Sequence, residues 1–465
     1  MKTMVATLTA MLIGVVLMRD ARNYPAPQAP LPAPTPTINR SGLLYDSNPE
    51  HLSNRLDRLL RGRTAKDGRE HGADALDPLL WRETRHLLEG ASHERAITLL
   101  DSFLEASAER LLQDPLKRVL LQRDVWAVFD WAVAANERED GARRHALASR
   151  LARVIRRLAL TPADADRVAV DPEGRRQPLD SYTAGAKASR FPAAYDPANP
   201  STPFLPVRML DSSGPWVPIH GSAPLPQHSY EMSRSHFAVL LTLPGGRKTT
   251  IEYLRRLWNS ADPFTLDPTG SINTGELRTM LQPHLRALPV GSQIALLRRM
   301  LFIDTSGHIR YSNIVESIQL RVFRERRDPD PERRRFAGPV DQDFFEFVLD
   351  RAGLVTNLAL GLRAVGTSGM EFLTFSSHGF DVFEQHESPR PMRTLQMCVN
   401  CHHEQGLASV LSHRRLFKPF TFPEANRRIL DGEPAVWKTR LADWGRLQGY
   451  WQSQTVGASS RAIGN

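Results

Sequence analysis

The pattern of apolar and polar residues predicts a helical part followed by a mixed part. From about residue 51 to residue 160 apolar residues recur at helical spacing, and Asp114-Pro115 is typical of a helix start. The segment after Pro115 is apolar on more than one face, which indicates a buried central helix. Thr161-Pro162 closes or restarts this region. We therefore expect an all-α N-terminal domain over residues 45–165.

Later in the chain, short apolar runs and period-two alternation indicate strands. The expected strands are residues 237–243, 318–323, 344–349, 358–365 and 371–375. Residues 249–259 predict a helix, and residues 292–302, which are apolar on most sides, are interpreted as another helix. The expected fold class is α+β, with one antiparallel sheet and helices on one side of it. This mixed domain is predicted over residues 236–390.

Amino-acid composition and pattern indicate the expected character of the remaining segments. Residues 166–235 are rich in proline, glycine and polar residues, which favours irregular structure or a linker. Residues 23–44 contain a proline-alternating tract that predicts an extended spacer. Residues 391–455 form a predicted helical C-terminal segment, and residues 456–465 a disordered tail. The C-terminal segment ends in one apolar helix stripe: Trp437, Leu441, Trp444, Leu447 and Trp451.

The first 22 residues are typical of an export signal. Lys2 precedes a nearly unbroken apolar run from Met4 to Met18, which is shorter than the about 20 residues of a membrane-spanning helix. No clean small-residue cleavage site follows before Arg19. The segment is therefore either a cleaved signal or a short retained anchor, and the protein is expected outside the cytoplasm, in the periplasm or outer envelope.

Candidate chemistry is concentrated in one short motif. Cys398 and Cys401 are the only cysteines of the chain, and His402 follows the second one directly. Two thiols at this spacing can form thioether bonds to the two vinyl groups of one porphyrin, and the next imidazole can bind the iron. In this motif and the export signal the chain resembles the c-type cytochromes, while the rest of the chain resembles no family that we recognise.

The resemblance implies one covalently bound haem c, with Cys398 and Cys401 as attachment sites and His402 as the proximal iron ligand. Such haem is attached outside the bacterial cytoplasm, so the export signal and the motif support each other. The implied function is electron transfer by an exported mono-haem protein. Di-haem peroxidase-type enzymes carry two such motifs, and only one is present. We find no hydrolase, kinase or metalloprotease motif, so a redox role is favoured over catalysis.

The sequence leaves open which residue is the second axial ligand of the iron. No methionine follows the motif, which excludes the downstream methionine ligand of the common small cytochromes c. His403 is rotated by about 100° from His402 on a helix and cannot reach the opposite face of the haem. The favoured candidate is His378, in a predicted turn, followed by His413. His386, Met370 and Met392 are further options, and an open or water-bound iron is the remaining alternative. The stripe of residues 437–451 either covers the haem or docks on the sheet.

Two alternatives to covalent haem use the same two cysteines. An oxidised Cys398–Cys401 pair would be a local disulfide in a non-enzymatic envelope or interaction protein. The two cysteines and two of His402, His403 and His413 could instead form a zinc site, although adjacent histidines do not fit the usual structural spacing.

The positive charge of the chain narrows its expected partners. The formal net charge is +9 and the sequence pI is about 9.8, which is compatible with nucleic-acid binding. An export signal argues against nucleic acid. An acidic redox partner protein or an anionic membrane surface is expected instead. The oligomeric state is left open by the sequence.

Overall fold

The computed structural model describes twelve stretches of the chain. They are residues 43–61, 63–64, 70–71, 85–134, 140–169, 180–219, 234–259, 264–266, 279–281, 288–325, 342–365 and 438–462. The helices are α1 Leu52–Arg61, α2 Gly90–Glu105, α3 Pro115–Ala134, α4 Gly141–Leu158, α5 Pro162–Val168, α6 Ser181–Lys187, α7 Gly246–Asn259, α8 Arg351–Thr356 and α9 Ala442–Ala462. Short 3₁₀ turns cover Arg85–Leu88, Ala108–Leu111 and Leu358–Leu360.

The strands form one large antiparallel sheet and two small hairpins. They are β1 Arg63–Thr64, β2 Glu70–His71, β3 Val217–Ile219, β4 Ser235–Thr242, β5 Phe264–Leu266, β6 Thr279–Leu281, β7 Gln293–Ile303, β8 Ile309–Phe323, β9 Gln342–Leu349 and β10 Leu362–Ala364. The large sheet has the order β10-β9-β8-β7-β4-β3, and each neighbouring pair is antiparallel. The predicted α+β class with an antiparallel sheet is confirmed.

Local sequence signals place the starts of two helices. α3 begins at Pro115, and the Asp114 carboxylate accepts a hydrogen bond from the Leu116 backbone nitrogen at 2.9 Å. α5 begins at Pro162, and the Thr161 hydroxyl accepts from the Asp164 nitrogen at 3.2 Å. In both cases the cap binds an amide that has no partner inside the helix, and proline occupies the first position, where no amide is needed. The predicted start at Pro115 is confirmed, and of the two outcomes left open for Thr161-Pro162 the structure shows the restart.

The helix predicted over residues 292–302 is wrong, because this segment is strand β7. It pairs with β4 on one side and with β8 on the other, and nearly all of its residues are buried. A strand covered on both faces loses the alternation of apolar and polar residues. A continuous apolar run cannot then be distinguished from a buried helix.

Strand predictions elsewhere are largely confirmed. Residues 237–243 and 344–349 fall in β4 and β9, and residues 318–323 form the end of β8. Only Leu362–Ala364 of the predicted strand over residues 358–365 is extended, because the 3₁₀ turn Leu358–Leu360 precedes it. Residues 371–375 lie outside the described stretches.

The helices pack against one end of the sheet through a shared apolar core. This core contains residues of α1–α5 and α9 together with Met300–Ile303 of β7. The side-chain amide of Gln122 on α3 donates to the Ile303 carbonyl at 2.9 Å, and its oxygen accepts from the Ile303 nitrogen at 2.9 Å. A buried side chain therefore continues the hydrogen bonding of the β7 backbone into the helical layer.

The C-terminal helix packs on helices, although docking on the sheet was expected. Trp444 lies against Trp126 of α3 with ring centroids 6.0 Å apart. The indole nitrogen of Trp451 donates to the Ala152 carbonyl of α4 at 2.8 Å. Trp444, Leu447 and Trp451 belong to the same buried cluster as the apolar residues of α3 and α4, so α9 completes the helical core. α9 continues through Ala462, where the sequence indicated a disordered tail from residue 456.

Candidate functional site

The residues of the cytochrome motif lie outside the described stretches. Cys398, Cys401 and His402, together with the candidate ligands His378 and His413, all fall within residues 366–437. Residues 1–22, for which an export signal was predicted, and most of the predicted spacer over residues 23–44 also fall outside them. We call residues 366–437 the motif segment, and the structure describes the residues that border it on each side.

The residue before the motif segment lies at the edge of the sheet, and the residue after it lies inside the helical layer. Val365 is buried beside β9, and its backbone nitrogen donates to the Glu346 carbonyl at 2.8 Å. Lys438, the first described residue after the segment, is fully buried. Both ends of the segment are therefore attached to packed parts of the protein.

Lys438 lies at the centre of a buried cluster of charges. Its ammonium donates to Asp130 Oδ2 of α3 at 2.9 Å and to Asp443 Oδ2 of α9 at 2.7 Å. Arg234, at the entry to β4, donates to the same Asp130 oxygen at 2.7 Å. Such a cation is costly to bury unless it is paired, and here two carboxylates hold it. We call Asp130, Arg234, Lys438 and Asp443 the Lys438 cluster.

The pKa values of the two carboxylates in the Lys438 cluster are shifted in opposite directions. Burial by itself would raise the pKa of Asp130, but the charges and hydrogen bonds of Lys438 and Arg234 hold that pKa below its usual range. Burial, together with the negative charge of Asp130, raises the pKa of Asp443. Asp130 is therefore the firmly ionised partner, and Asp443 is the group of this cluster that binds a proton more readily.

Tryptophan rings enclose the cluster. The Lys438 ammonium lies 5.2 Å from the centroid of the Trp126 ring. Trp126 contacts Trp444 at 6.0 Å, and Trp444 contacts Trp451 at 6.2 Å between ring centroids. A cation over a tryptophan face is attracted by the ring quadrupole, most strongly where water is excluded. The rings therefore stabilise the lysine charge and also shield it from solvent.

Helix α3 carries further buried charges, each paired with another element. Arg123 Nε donates to Glu316 Oε1 of β8 at 3.0 Å, and both side chains are fully buried. Asp124 accepts two hydrogen bonds from Arg351 of α8, at 2.5 and 2.8 Å. The sequence analysis missed these residues. The available signal was Arg123-Asp124, and Asp130 further along, inside an otherwise apolar helix.

Another buried ion pair lies on β7. Arg299, fully buried, donates to Asp180 Oδ2 at 2.6 Å, while the other Asp180 oxygen caps α6 by accepting from the Thr183 nitrogen at 2.6 Å. Burial lowers the pKa of Arg299, and the charge of Asp180 partly offsets this effect. The Nε and Nη1 atoms of Arg299 have no hydrogen-bond partner among the described residues. This pair fixes α6 to the sheet and makes no contact with the Lys438 cluster that the structure describes.

The described stretches offer neither a metal-binding cluster nor a membrane-spanning helix. They contain no group of three or more histidine, cysteine, aspartate or glutamate residues arranged to hold a metal ion. In the same part of the chain, no helix has the length and apolar character that crossing a membrane requires. Comparisons with protein-family models, curated proteins and solved structures gave no match.

Proposed function

We propose that this protein is an exported, mono-haem, c-type cytochrome-like protein that transfers electrons. The observation that carries the proposal is the Cys398-x-x-Cys401-His402 motif, which uses every cysteine of the chain and accompanies an export signal. Two thiols and one imidazole are the donor set that covalent haem requires. When bound, the haem supplies an iron centre that accepts and releases one electron.

The chain's own residues have separate roles in this proposal. Cys398 and Cys401 hold the porphyrin through thioether bonds, and His402 binds the iron from the proximal side. His378 or His413 is the proposed distal ligand. The buried attachments at Val365 and Lys438 support the proposal, because they give a cofactor-bearing segment two fixed ends.

The proposed setting follows from export and charge. The protein acts in the periplasm or outer envelope, where its N-terminal segment either is removed or anchors it. A net charge of +9 favours an acidic redox protein as the electron partner. A second favourable surface is an anionic membrane.

A pyridine haemochrome spectrum tests the proposal directly. The wild type and the Cys398→Ala/Cys401→Ala variant are expressed with export in a host that matures c-type cytochromes. We expect a c-type α-band that survives denaturation in the wild type and is absent from the double variant. His403→Ala is the matched control, because it removes a neighbouring histidine from outside the motif and should keep the band.

Single variants then test the axial ligands. His402→Ala should change the Soret spectrum and lower the yield of matured haem, while His403→Ala should not. His378→Ala, His413→Ala and the less favoured His386→Ala are each compared with His403→Ala, which removes a histidine that cannot reach the opposite face of the haem. The variant that removes the distal ligand should convert the spectrum to that of an iron with an open or water-bound position.

A colourless wild type from a host that matures a control cytochrome would exclude the haem proposal. Thiol titration and zinc analysis would then separate the two alternatives. Two unreactive thiols without zinc would indicate a Cys398–Cys401 disulfide in an envelope or interaction protein. One equivalent of zinc would indicate a metal-stabilised binding module.

A further inference from the structure

One end of the helical layer brings together the entry of the N-terminal residues, several cations and exposed apolar side chains. Lys117 at the start of α3 donates to the Tyr45 carbonyl at 3.1 Å. Arg118 donates to the carbonyls of Arg157 at 3.2 Å and Ala159 at 2.8 Å, where α4 ends. We call this region the basic end, and it contains Leu43, Arg110, Leu111, Lys117, Arg118, Arg153 and Arg157.

The basic end presents more positive than negative charge to solvent. The side chains of Arg110 and Arg157 are 78% and 48% exposed, and both approach Glu109, which is only 7% exposed, at 4.0 and 3.5 Å. Arg153 is exposed and forms no hydrogen bond or ion pair with any residue that the structure describes. The exposed carboxylates at this end are Glu105 and Asp114, against the exposed Arg110, Arg153 and Arg157, and the Asp114 carboxylate already caps α3. Asp46 and Asp164 are half-buried, as are Lys117 and Arg118.

Apolar side chains project beside these cations. Leu111 is 61% exposed and Leu43 is 49% exposed, and they are two of the four large apolar residues that are exposed in the described stretches. A leucine next to arginines suits the boundary of a bilayer, where the apolar side chain enters the acyl region and guanidinium groups bind lipid phosphates. An acidic protein surface would use the arginines but gain less from exposed leucines.

The N-terminal residues join the body at this same end. Described structure begins at Leu43, and the preceding sequence contains the apolar run from Met4 to Met18 and the proline-rich spacer. We propose that the basic end is a docking surface for an anionic phospholipid bilayer. This inference rests on the retained-anchor form of the proposed function, because a short anchor raises the local concentration of lipid at the basic end. Two weak attachments together then give stable binding.

Vesicle co-sedimentation of the full chain tests the surface. The probes are phosphatidylcholine vesicles and mixed phosphatidylcholine–phosphatidylglycerol vesicles, each at low and high salt. The anchor contributes to binding in both lipids, whereas the basic end contributes only where phosphatidylglycerol is present. We expect wild-type binding to increase with phosphatidylglycerol, and salt to remove this increase.

Matched variants assign the effect to the basic end. Each basic charge that is removed should weaken binding to phosphatidylglycerol vesicles about fivefold. Arg110→Glu/Arg153→Glu removes two such charges and adds two negative ones, so it should weaken binding by at least about 25-fold. The control Arg255→Glu/Arg256→Glu makes the same charge change on exposed residues of α7, which packs on β3 and β4. Leu111→Ser should weaken binding several-fold, whereas Val290→Ser, which changes a residue that is 60% exposed elsewhere, should not.

The outcomes separate this inference from the proposed function. Equal loss in the α7 control, or unchanged binding of the Arg110/Arg153 variant, would overturn the docking surface. Circular dichroism checks that each variant is folded, and the haem α-band is recorded on the same samples. A preserved α-band without phosphatidylglycerol dependence would refute the docking surface alone. A missing α-band with preserved lipid dependence would refute the cytochrome proposal alone.

Discussion

Replacing Lys438 with methionine gives the sharpest test of the Lys438 cluster. Methionine keeps nearly the same length and volume, so the change removes the ammonium without opening a cavity. The Lys438 ammonium forms two hydrogen bonds to carboxylates, at 2.9 Å to Asp130 and 2.7 Å to Asp443. After the substitution Asp130 keeps its bond to Arg234, but Asp443 loses its cation and faces another carboxylate.

The expected loss of stability follows from these contacts. A hydrogen bond to a charged group contributes about 1.5–3 kcal/mol, and removing one partner of a buried ion pair costs about 3–5 kcal/mol. Because Arg234 still neutralises Asp130 and the Asp443 side chain is 16% exposed, we expect the lower part of this range. The free energy of unfolding should therefore fall by about 3 kcal/mol.

Urea unfolding followed by circular dichroism measures this change, and hydrogen exchange of the α9 amides locates it. Lys117→Met is the matched control, because that half-buried ammonium donates one hydrogen bond to a carbonyl at 3.1 Å and should cost about 1.5 kcal/mol, the lower end for a bond from a charged group. A Lys438→Met variant that loses no more stability than the control would refute the reasoning. Faster exchange throughout the sheet but not in α9 would also contradict it.

Further predictions concern pH and glycine. Because the pKa of Asp443 is raised in the folded protein, its contribution to stability is present below its ordinary pKa and is lost as pH rises through the folded pKa. The stability of Asp443→Asn relative to the wild type should therefore increase as pH rises through this window in urea titrations, and a constant difference would contradict the shift. Thermal unfolding should show that Gly449→Ala stabilises α9 by about 0.5–1 kcal/mol, because nothing lies within 4 Å of the added carbon. Gly353→Ala should destabilise instead, because its added carbon would lie 2.4 Å from the Leu360 carbonyl oxygen, and equal effects of the two changes would show that this close approach is relieved at little cost.

Elements fixed by local chemistry were predictable from the sequence. Proline at the first position and a capping side chain determine where α3 and α5 begin, and both signals act within three residues of the helix start. β4 and β9 have apolar runs whose lengths fit strands. Such features depend little on the rest of the fold, which is why the sequence alone indicates them.

Features that depend on distant partners were not predictable. Strand β7 is buried over nearly its whole length and, apart from Gln293, Arg298 and Arg299, its residues are apolar. Its own sequence therefore does not distinguish a strand from a helix. The Lys438 cluster joins residues 308 positions apart in the chain. Nothing near Asp130 in the sequence identifies Lys438 as its partner. The Cys398-x-x-Cys401-His402 motif is the reverse case, because its pattern is local and visible in the sequence while its surroundings lie outside the described stretches.

The packing of α9 has a consequence for the order in which the chain folds during synthesis. Trp444, Leu447 and Trp451 fill the core between α3 and α4, with about 300 residues between the two parts of that core. When the chain emerges with its N-terminus first, α3 and α4 form before α9 has been made. The apolar groove between them stays open until α9 packs into it. The motif segment emerges before α9 and is tethered at one end only during that interval. On the proposed function, enzymes that attach haem would reach Cys398 and Cys401 most easily during that interval, before Lys438 is buried and the second end is fixed.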